Sequence, residues 1–202
     1  MDVSIAIDFS LSNLEITDYR SLHRLSNYEM NQYERAIYEV CNIMMPYAKN
    51  QQFKTYGFGG IPAYMGNNKT SRLWNLNGTD RPECQDTKGV LRAYKKAIEG
   101  TKLAGPTYFS KVLGRVKTEI EANILNFGLE NNNTYSVVII ITDGYCHDME
   151  HTKSLLIDLS RMPFSGIVVG LGDSEFADME VLDADDMILT DALGRTAARD
   201  VI

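Results

Sequence analysis

An α/β fold built on a mainly parallel sheet is what this sequence predicts, and three observations point to it. Apolar, strand-like runs alternate with segments of helical periodicity, the order that successive β-α units produce. The apolar run Val3 to Phe9 ends in polar residues, as a buried parallel strand does when it delivers a loop at its carboxyl end. Ser136 to Thr142 is the strongest strand candidate, because every residue from Val137 to Thr142 is branched at the β carbon.

Along the chain, the polar stretch Asn13 to Tyr28 after the first strand reads as a surface excursion. From about Asn31 to Ala48, Ala36, Ile37, Val40, Ile43 and Met44 recur at helical spacing, and Pro46 marks the end. Phe53 to Gly57 reads as a short strand closing in Gly57-Phe58-Gly59-Gly60, and Arg72 to Leu76 as another. Gly89 to Lys102 and Phe109 to about Ile124 read as helices. The turn residues Gly105 and Pro106 keep the loop between them, which carries Thr107, out of either helix. Beyond Thr142 follow a helix from about Met149 to Arg161 and a strand from Gly166 to Val169 that ends in Gly170-Leu171-Gly172. Phe176 to Leu182 suits a short helix, Met187 to Leu189 a short edge strand, and Arg195 to Ile202 starts like a helix. No Pro-, Gly- or Ser-rich linker and no repeat divides residues 1–202, so the chain reads as one domain.

The 202 residues, 44% hydrophobic and 23% charged, are enough for one sizeable core and do not suggest disorder. A formal charge of −7 argues against nucleic acid as the main partner, since phosphate binding rests on clustered Lys and Arg. Arg92, Lys95 and Lys96 form a local basic cluster that reads as a solvated helix face. No apolar run approaches the roughly 20 residues that span a bilayer, and no signal-peptide pattern opens the chain. Cys41, Cys84 and Cys146 are odd in number and widely spaced, which suits reduced thiols and a cytoplasmic setting. The sequons at Asn68, Asn77 and Asn132 then read as chance loop sequences.

Three separated segments carry the candidate chemistry. Asp8-Phe9-Ser10-Leu11-Ser12 closes the first strand, Thr107 follows Gly105-Pro106, and Asp143-Gly144 closes the strongest strand. In a doubly wound sheet, ligands collect outside the carboxyl ends of the strands where the winding reverses, so neighbouring strands would bring Asp8 and Asp143 together. Asp8, Ser10, Ser12, Thr107 and Asp143 offer only oxygen, which hard cations such as magnesium require. Ser10 and Ser12, on alternate positions, add neutral oxygens without further negative charge, leaving room for an outside carboxylate to complete the shell. An Asp-x-Ser-x-Ser string alone more often marks a turn, where Asp and Ser bond nearby backbone. Three segments in the right order favour a metal-ion-dependent adhesion site.

The Asp-x-Ser-x-Ser, distant Thr and Thr-Asp-Gly set resembles von Willebrand factor A domains. Ser21-Leu22-His23, Asn31-Gln32-Tyr33-Glu34, Gly57-Phe58-Gly59, Pro82-Glu83-Cys84, Gly105-Pro106-Thr107 and Ala197-Ala198-Arg199-Asp200 resemble copine signatures. The resemblance extends from Val3 to Ile202. It implies a doubly wound, six-stranded, mainly parallel sheet with one antiparallel edge strand and helices on both faces. It further implies Mg2+ or Mn2+ held directly by Ser10 and Ser12, and directly or through water by Asp8, Thr107 and Asp143, with Gly105 and Gly144 shaping the loops. Copines usually carry Thr where this chain has Ser10, which keeps the hydroxyl oxygen. Copines resemble a fusion of two calcium-dependent, phospholipid-binding C2 domains to an A domain, with roles in signalling or membrane trafficking. The chain therefore reads as a fragment whose membrane recruitment belongs to absent C2 domains, and whose own partner is a protein offering an acidic residue to the metal.

Enzymatic readings compete with this one. A metal-dependent phosphatase or hydrolase could use Asp8 and Asp143, but no general base is identifiable among the motif residues. A phosphotransferase nucleophile at Asp8 would want a second Asp where Ser10 stands, and Gly57 to Gly60 and Gly170 to Gly172 lack the Lys-Ser or Lys-Thr of a phosphate loop. Cys146, His147 and His151 suggest zinc, yet the Glu of a His-Glu-x-x-His hydrolase is missing, and surface histidines are the plainer reading. Some copine-like plant proteins are ubiquitin ligases through a separate cysteine-rich module, which three cysteines cannot build. At most this chain would be the substrate-recognition domain of such a ligase.

Overall fold

The computed structural model describes residues 1–66, 69–128, 134–183 and 188–202. In chain order its elements are β1 (Asp2–Asp8), α1 (Gln32–Met44), β2 (Gln52–Phe58), β3 (Gly60–Pro62), β4 (Trp74–Asn75) and β5 (Glu83–Gln85). There follow α2 (Asp86–Glu99), β6 (Thr101–Leu103), α3 (Ser110–Phe127), β7 (Ser136–Thr142), α4 (Met149–Leu159), β8 (Phe164–Gly170) and α5 (Ala177–Leu182).

The main sheet runs β4-β2-β1-β7-β8, with β5 also pairing β2. β1, β2, β7 and β8 are mutually parallel, and Ala6 sits opposite both Tyr56 and Ile140. Successive residues of a strand point to opposite faces, so two cores form. Val3, Ile5 and Ile7 of β1, with Val137, Ile139 and Ile141 of β7, pack with α1 and α2 residues such as Ile37, Val90 and Tyr94. Ala6, Val138 and Ile140 pack on the other face with Val112, Val116 and Leu156 of α3 and α4. Every residue of β7 is buried because both faces are covered, which is why its sequence does not alternate.

The antiparallel edge is divided. β4 pairs the carboxyl half of β2 through Tyr56 and Gly57, and β5 pairs its amino half through Gln52 to Lys54. Sequence signals marked the first as Arg72 to Leu76; β5 was hidden because only Cys84 of its three residues points inward. The second helix begins earlier than Gly89 and stops at Glu99, not Lys102, since Thr101 to Leu103 pairs instead with Gly60 to Pro62 in a separate two-stranded sheet. Arg92, Lys95 and Lys96 lie exposed on this helix.

Two further expectations change. Arg195 to Ile202 forms no helix, because its backbone is used elsewhere: Ala197 N–H donates to Leu189 O, and Val201 O accepts from Gly166 N–H of β8. Met187 lies outside the described residues, and Ile188 and Leu189 form no strand; a single bridge joins Thr190 to Thr196. The sequons at Asn68 and Asn132 include residues outside the described set, while that at Asn77 sits in a turn with Thr79 exposed. No described helix is long and apolar enough to cross a membrane.

Candidate metal centre

The winding direction reverses at β1 and β7, since the chain steps from β1 to β2 on one side and later returns to place β7 on the other. Asp8 is the last residue of β1 and Asp143 directly follows β7, so both carboxylates emerge at this reversal. The third segment joins by backbone pairing: Leu11 N–H donates to Ala104 O at 2.6 Å and Ala104 N–H to Phe9 O at 3.2 Å. Thr107 is then tied to the Asp143 loop from both sides. Its N–H donates to His147 Nδ1 at 3.3 Å, and its carbonyl accepts from His147 N–H at 3.0 Å.

Asp8 is fully buried; its Oδ1 accepts from Ser10 N–H at 2.7 Å and its Oδ2 from the Thr142 hydroxyl at 2.7 Å. The Ser10 and Ser12 hydroxyls are hydrogen-bonded at 2.9 Å, and Ser12 is exposed. Asn13 Nδ2 donates to both Ser10 O and Ser10 Oγ at 3.2 Å, and its own Oδ1 accepts from the Tyr33 hydroxyl at 2.7 Å. Gly59 closes this loop at φ +78°, where a Cβ would stand 3.1 Å from Ser10 N and 3.3 Å from Asp8 Oδ1. Gly144 has φ +105° and a Cβ there would meet Phe176 at 2.6 Å, so it does shape its loop. Gly105 has neither a positive φ nor a neighbour within 4 Å of a built Cβ, so no steric need for glycine exists there.

Beneath the loop lies His23, from the stretch read as a surface excursion. Tyr19 and Tyr28 of that stretch are indeed exposed, but Asn13, Ser21 and His23 are buried and anchor it. His23 Nε2 lies 2.8 Å from Asp8 O, which can only accept, so Nε2 carries the proton and Nδ1 accepts from the Tyr94 hydroxyl at 2.8 Å. Burial pushes the His23 pKa down to about 3, keeping the ring neutral, and the ring stacks on Tyr33 at 4.0 Å.

The electrostatics show what this arrangement lacks. Burial, and then the nearby Asp143 charge, push the Asp8 pKa up to about 7 against the pull of its hydrogen bonds. Burial raises Asp143 as well, while the Ser12 hydroxyl and His147 hold it back. Two carboxylates thus share a buried corner, and among the described residues no Lys or Arg pairs with either. Thr107 Oγ1 and Asp143 Oδ1 are also buried with no hydrogen-bond partner among the described residues, although buried polar atoms are normally satisfied. An all-oxygen set with orphaned acceptors and paired carboxylates fits a hard divalent cation. The structure therefore brings Asp8, Ser10, Ser12, Thr107 and Asp143 to one corner, and adds Thr142, Asn13 and His23 behind them.

No group of three or more His, Cys, Asp or Glu side chains that could hold a metal ion converges anywhere among the described residues, this corner included, where two carboxylates stand among hydroxyl oxygens. Cys146 is buried with its sulfur 3.5 Å from Asp148 and 3.6 Å from Thr152, His147 Nδ1 already accepts from Thr107, and His151 is exposed.

The family described as copine matches residues 21–202, a span that includes Thr107 and Asp143 and begins after the Asp8 to Ser12 loop. The crystal structure of manganese-loaded Plasmodium vivax TRAP protein is similar at TM-score 0.55 and 15% identity, covering 89% of this chain and 61% of that one. At that identity the likeness is one of fold: a von Willebrand factor A-type domain, with this chain spanning about three-fifths of the other's length.

Proposed function

Because the chain belongs to the copine family, we propose that it is a divalent-cation-dependent protein-binding module whose metal site is formed by Asp8, Ser10, Ser12, Thr107 and Asp143. The observation that carries this reading is the pair of orphaned buried oxygens, Thr107 Oγ1 and Asp143 Oδ1, beside a second buried carboxylate. Buried Ser10 and exposed Ser12 present neutral oxygens, and Asp8 is oriented by Ser10 N–H and Thr142. Mg2+ or Mn2+ held there supplies a coordination position for a carboxylate from a partner protein. The neighbour in fold was crystallised loaded with manganese, which supports a divalent cation as the class of ligand.

Recognition rather than turnover is the role the residues support. A hydrolytic site needs a base free to take a proton, and both neighbouring rings are engaged: the Nδ1 of His147 by Thr107 N–H and the Nδ1 of His23 by the Tyr94 hydroxyl. A cytoplasmic setting and membrane recruitment of a longer parent through C2 domains complete the proposal. Magnesium titration by calorimetry tests it: the parent should bind one ion, and Asp8→Ala and Ser12→Ala should weaken binding. Equal affinity in all three proteins would remove the site.

A further inference from the structure

Beside the metal corner lies an open pocket of about 400 Å³ whose polar lining includes Thr70, Ser71, Arg72 and Lys111. Two independent connections fix it there. Ser71 N–H donates to Gly60 O at 2.8 Å, and the preceding Gly59 packs against Ser10 N and Asp8 Oδ1. On the other side the Arg72 guanidinium sits over the Tyr108 ring at 4.9 Å, and Tyr108 directly follows Thr107. Lys111 lies in the first turn of α3, three residues beyond Tyr108.

The chemistry of this pocket runs against that of the chain. The protein carries a formal charge of −7, yet among the described residues no carboxylate pairs with Arg72 or Lys111, and both are exposed. Some basic side chains elsewhere find acids, as Lys54 does with Glu119, Lys117 with Asp158 and Arg195 with Asp191, while others such as Arg92 and Lys96 form no ion pair among the described residues; what sets Arg72 and Lys111 apart is that they line one pocket together. An aromatic face holds the Arg72 guanidinium in place while leaving its donors outward, the geometry that suits a carboxylate or phosphoryl group. The Tyr108 ring is thus a shared wall: Thr107 faces the metal corner on one side of the loop and Arg72 covers the ring on the other.

We propose that the Arg72 and Lys111 pocket receives a second anionic side chain of the partner segment whose first acidic residue meets the metal site, so that the ligand class is a peptide with at least two spaced negative charges. This rests on the metal-site reading, and the two fail differently. Apolar rim residues agree with a segment lying across the corner: Leu11 between the two serines and Tyr145 after Gly144 are each about half exposed.

Fluorescence anisotropy with labelled Gly-Ser decapeptides tests the proposal. One probe carries a single Glu; the others add a second Glu or a phosphoserine two, four or six residues away, spacings that cover roughly 7 to 20 Å of extended chain. In millimolar magnesium at low salt, one of the two-anion probes should bind about tenfold tighter than the single-Glu probe, the scale of one charge-assisted hydrogen bond. That gain should disappear in the double variant Arg72→Gln/Lys111→Gln, whose folding is checked by circular dichroism, and with chelator. No gain from the second anion, or a gain that survives the double variant, overturns the pocket's role. A gain that depends on Arg72 and Lys111 but persists in chelator and in Asp8→Ala overturns the link to the metal corner. Should magnesium raise no probe's affinity, the metal-site reading itself falls.

Discussion

At the scale of single residues, the proposed metal corner depends on side chains outside its five proposed ligands. Thr142 is the clearest: its hydroxyl donates to Asp8 Oδ2 at 2.7 Å and accepts from Gly144 N–H at 3.3 Å, linking both carboxylate loops. Thr142→Ala should cost about 1–3 kcal/mol in urea unfolding and weaken magnesium binding roughly 10- to 100-fold, whereas Thr142→Ser should keep most of both. Asp8 and His23 make opposite contributions to pH dependence in the metal-free protein. With its folded pKa raised to about 7, Asp8 stabilises fully below the unfolded carboxylate value and loses that contribution as pH rises through 7. With its folded pKa lowered to about 3, His23 stabilises above the unfolded imidazole value and loses that contribution as pH falls toward 3. Between about pH 4.5 and 6.5 the two slopes offset. In chelator, Asp8→Asn should therefore unmask a stability that rises with pH across this window, by up to about 1.4 kcal/mol per unit; a slope unchanged from the parent would show that the two groups do not titrate this way. The five ligand candidates were legible as oxygen-bearing residues, Asp8 and Asp143 at strand ends and Ser10, Ser12 and Thr107 in loops. Thr142, Asn13 and His23 gain their roles from partners that only folding brings near, such as Tyr33 and Tyr94, and His23 lay in a polar stretch with nothing to mark it as buried.

At the scale of elements, the strands and long helices follow from local pattern and the connections do not. β7 falls on the residues that branching at Cβ marked, Ser136 to Thr142, and α1 begins behind Asn31, whose side chain accepts from Glu34 N–H while Glu34 accepts from Asn31 N–H. By contrast β3, β5 and β6 are three residues each, too short for periodicity, and exist because a partner strand is present. The junction between α3 and α4 shows how elements hold the site. Asp148 accepts from Phe109 N–H at 3.1 Å, from Ser110 N–H at 3.2 Å and from the Thr152 hydroxyl at 3.2 Å, satisfying the start of α3 from the start of α4. Thr107 lies three residues before that start, so Asp148→Ala should cost about 1–2 kcal/mol and weaken magnesium binding without removing any proposed ligand. Chemical denaturation with calorimetry checks this; unaltered affinity alongside lost stability would separate the junction from the site.

At the scale of the whole molecule, folding forces two carboxylates, one with an unsatisfied oxygen, and the unsatisfied Thr107 hydroxyl into one corner, so a cation that binds only the folded state should stabilise the entire domain. Magnesium at about 100 times its dissociation constant would add roughly 2.7 kcal/mol, which for a chain of this size raises Tm by about 5–10 °C. Thermal scans with and without magnesium should show the shift in the parent and lose it in Asp143→Ala; equal shifts in both would place the cation elsewhere. By itself the sequence determined the α/β class, the parallel strands and the oxygen-only chemistry of the proposed site, because periodicity, β-branching and residue chemistry are local properties. It did not determine the split antiparallel edge, the irregular path of Arg195 to Ile202 or the buried network under the metal loop. Those were decided by tertiary structure, because each depends on hydrogen bonds between residues far apart in the chain, such as Thr142 with Asp8 and Gly166 with Val201.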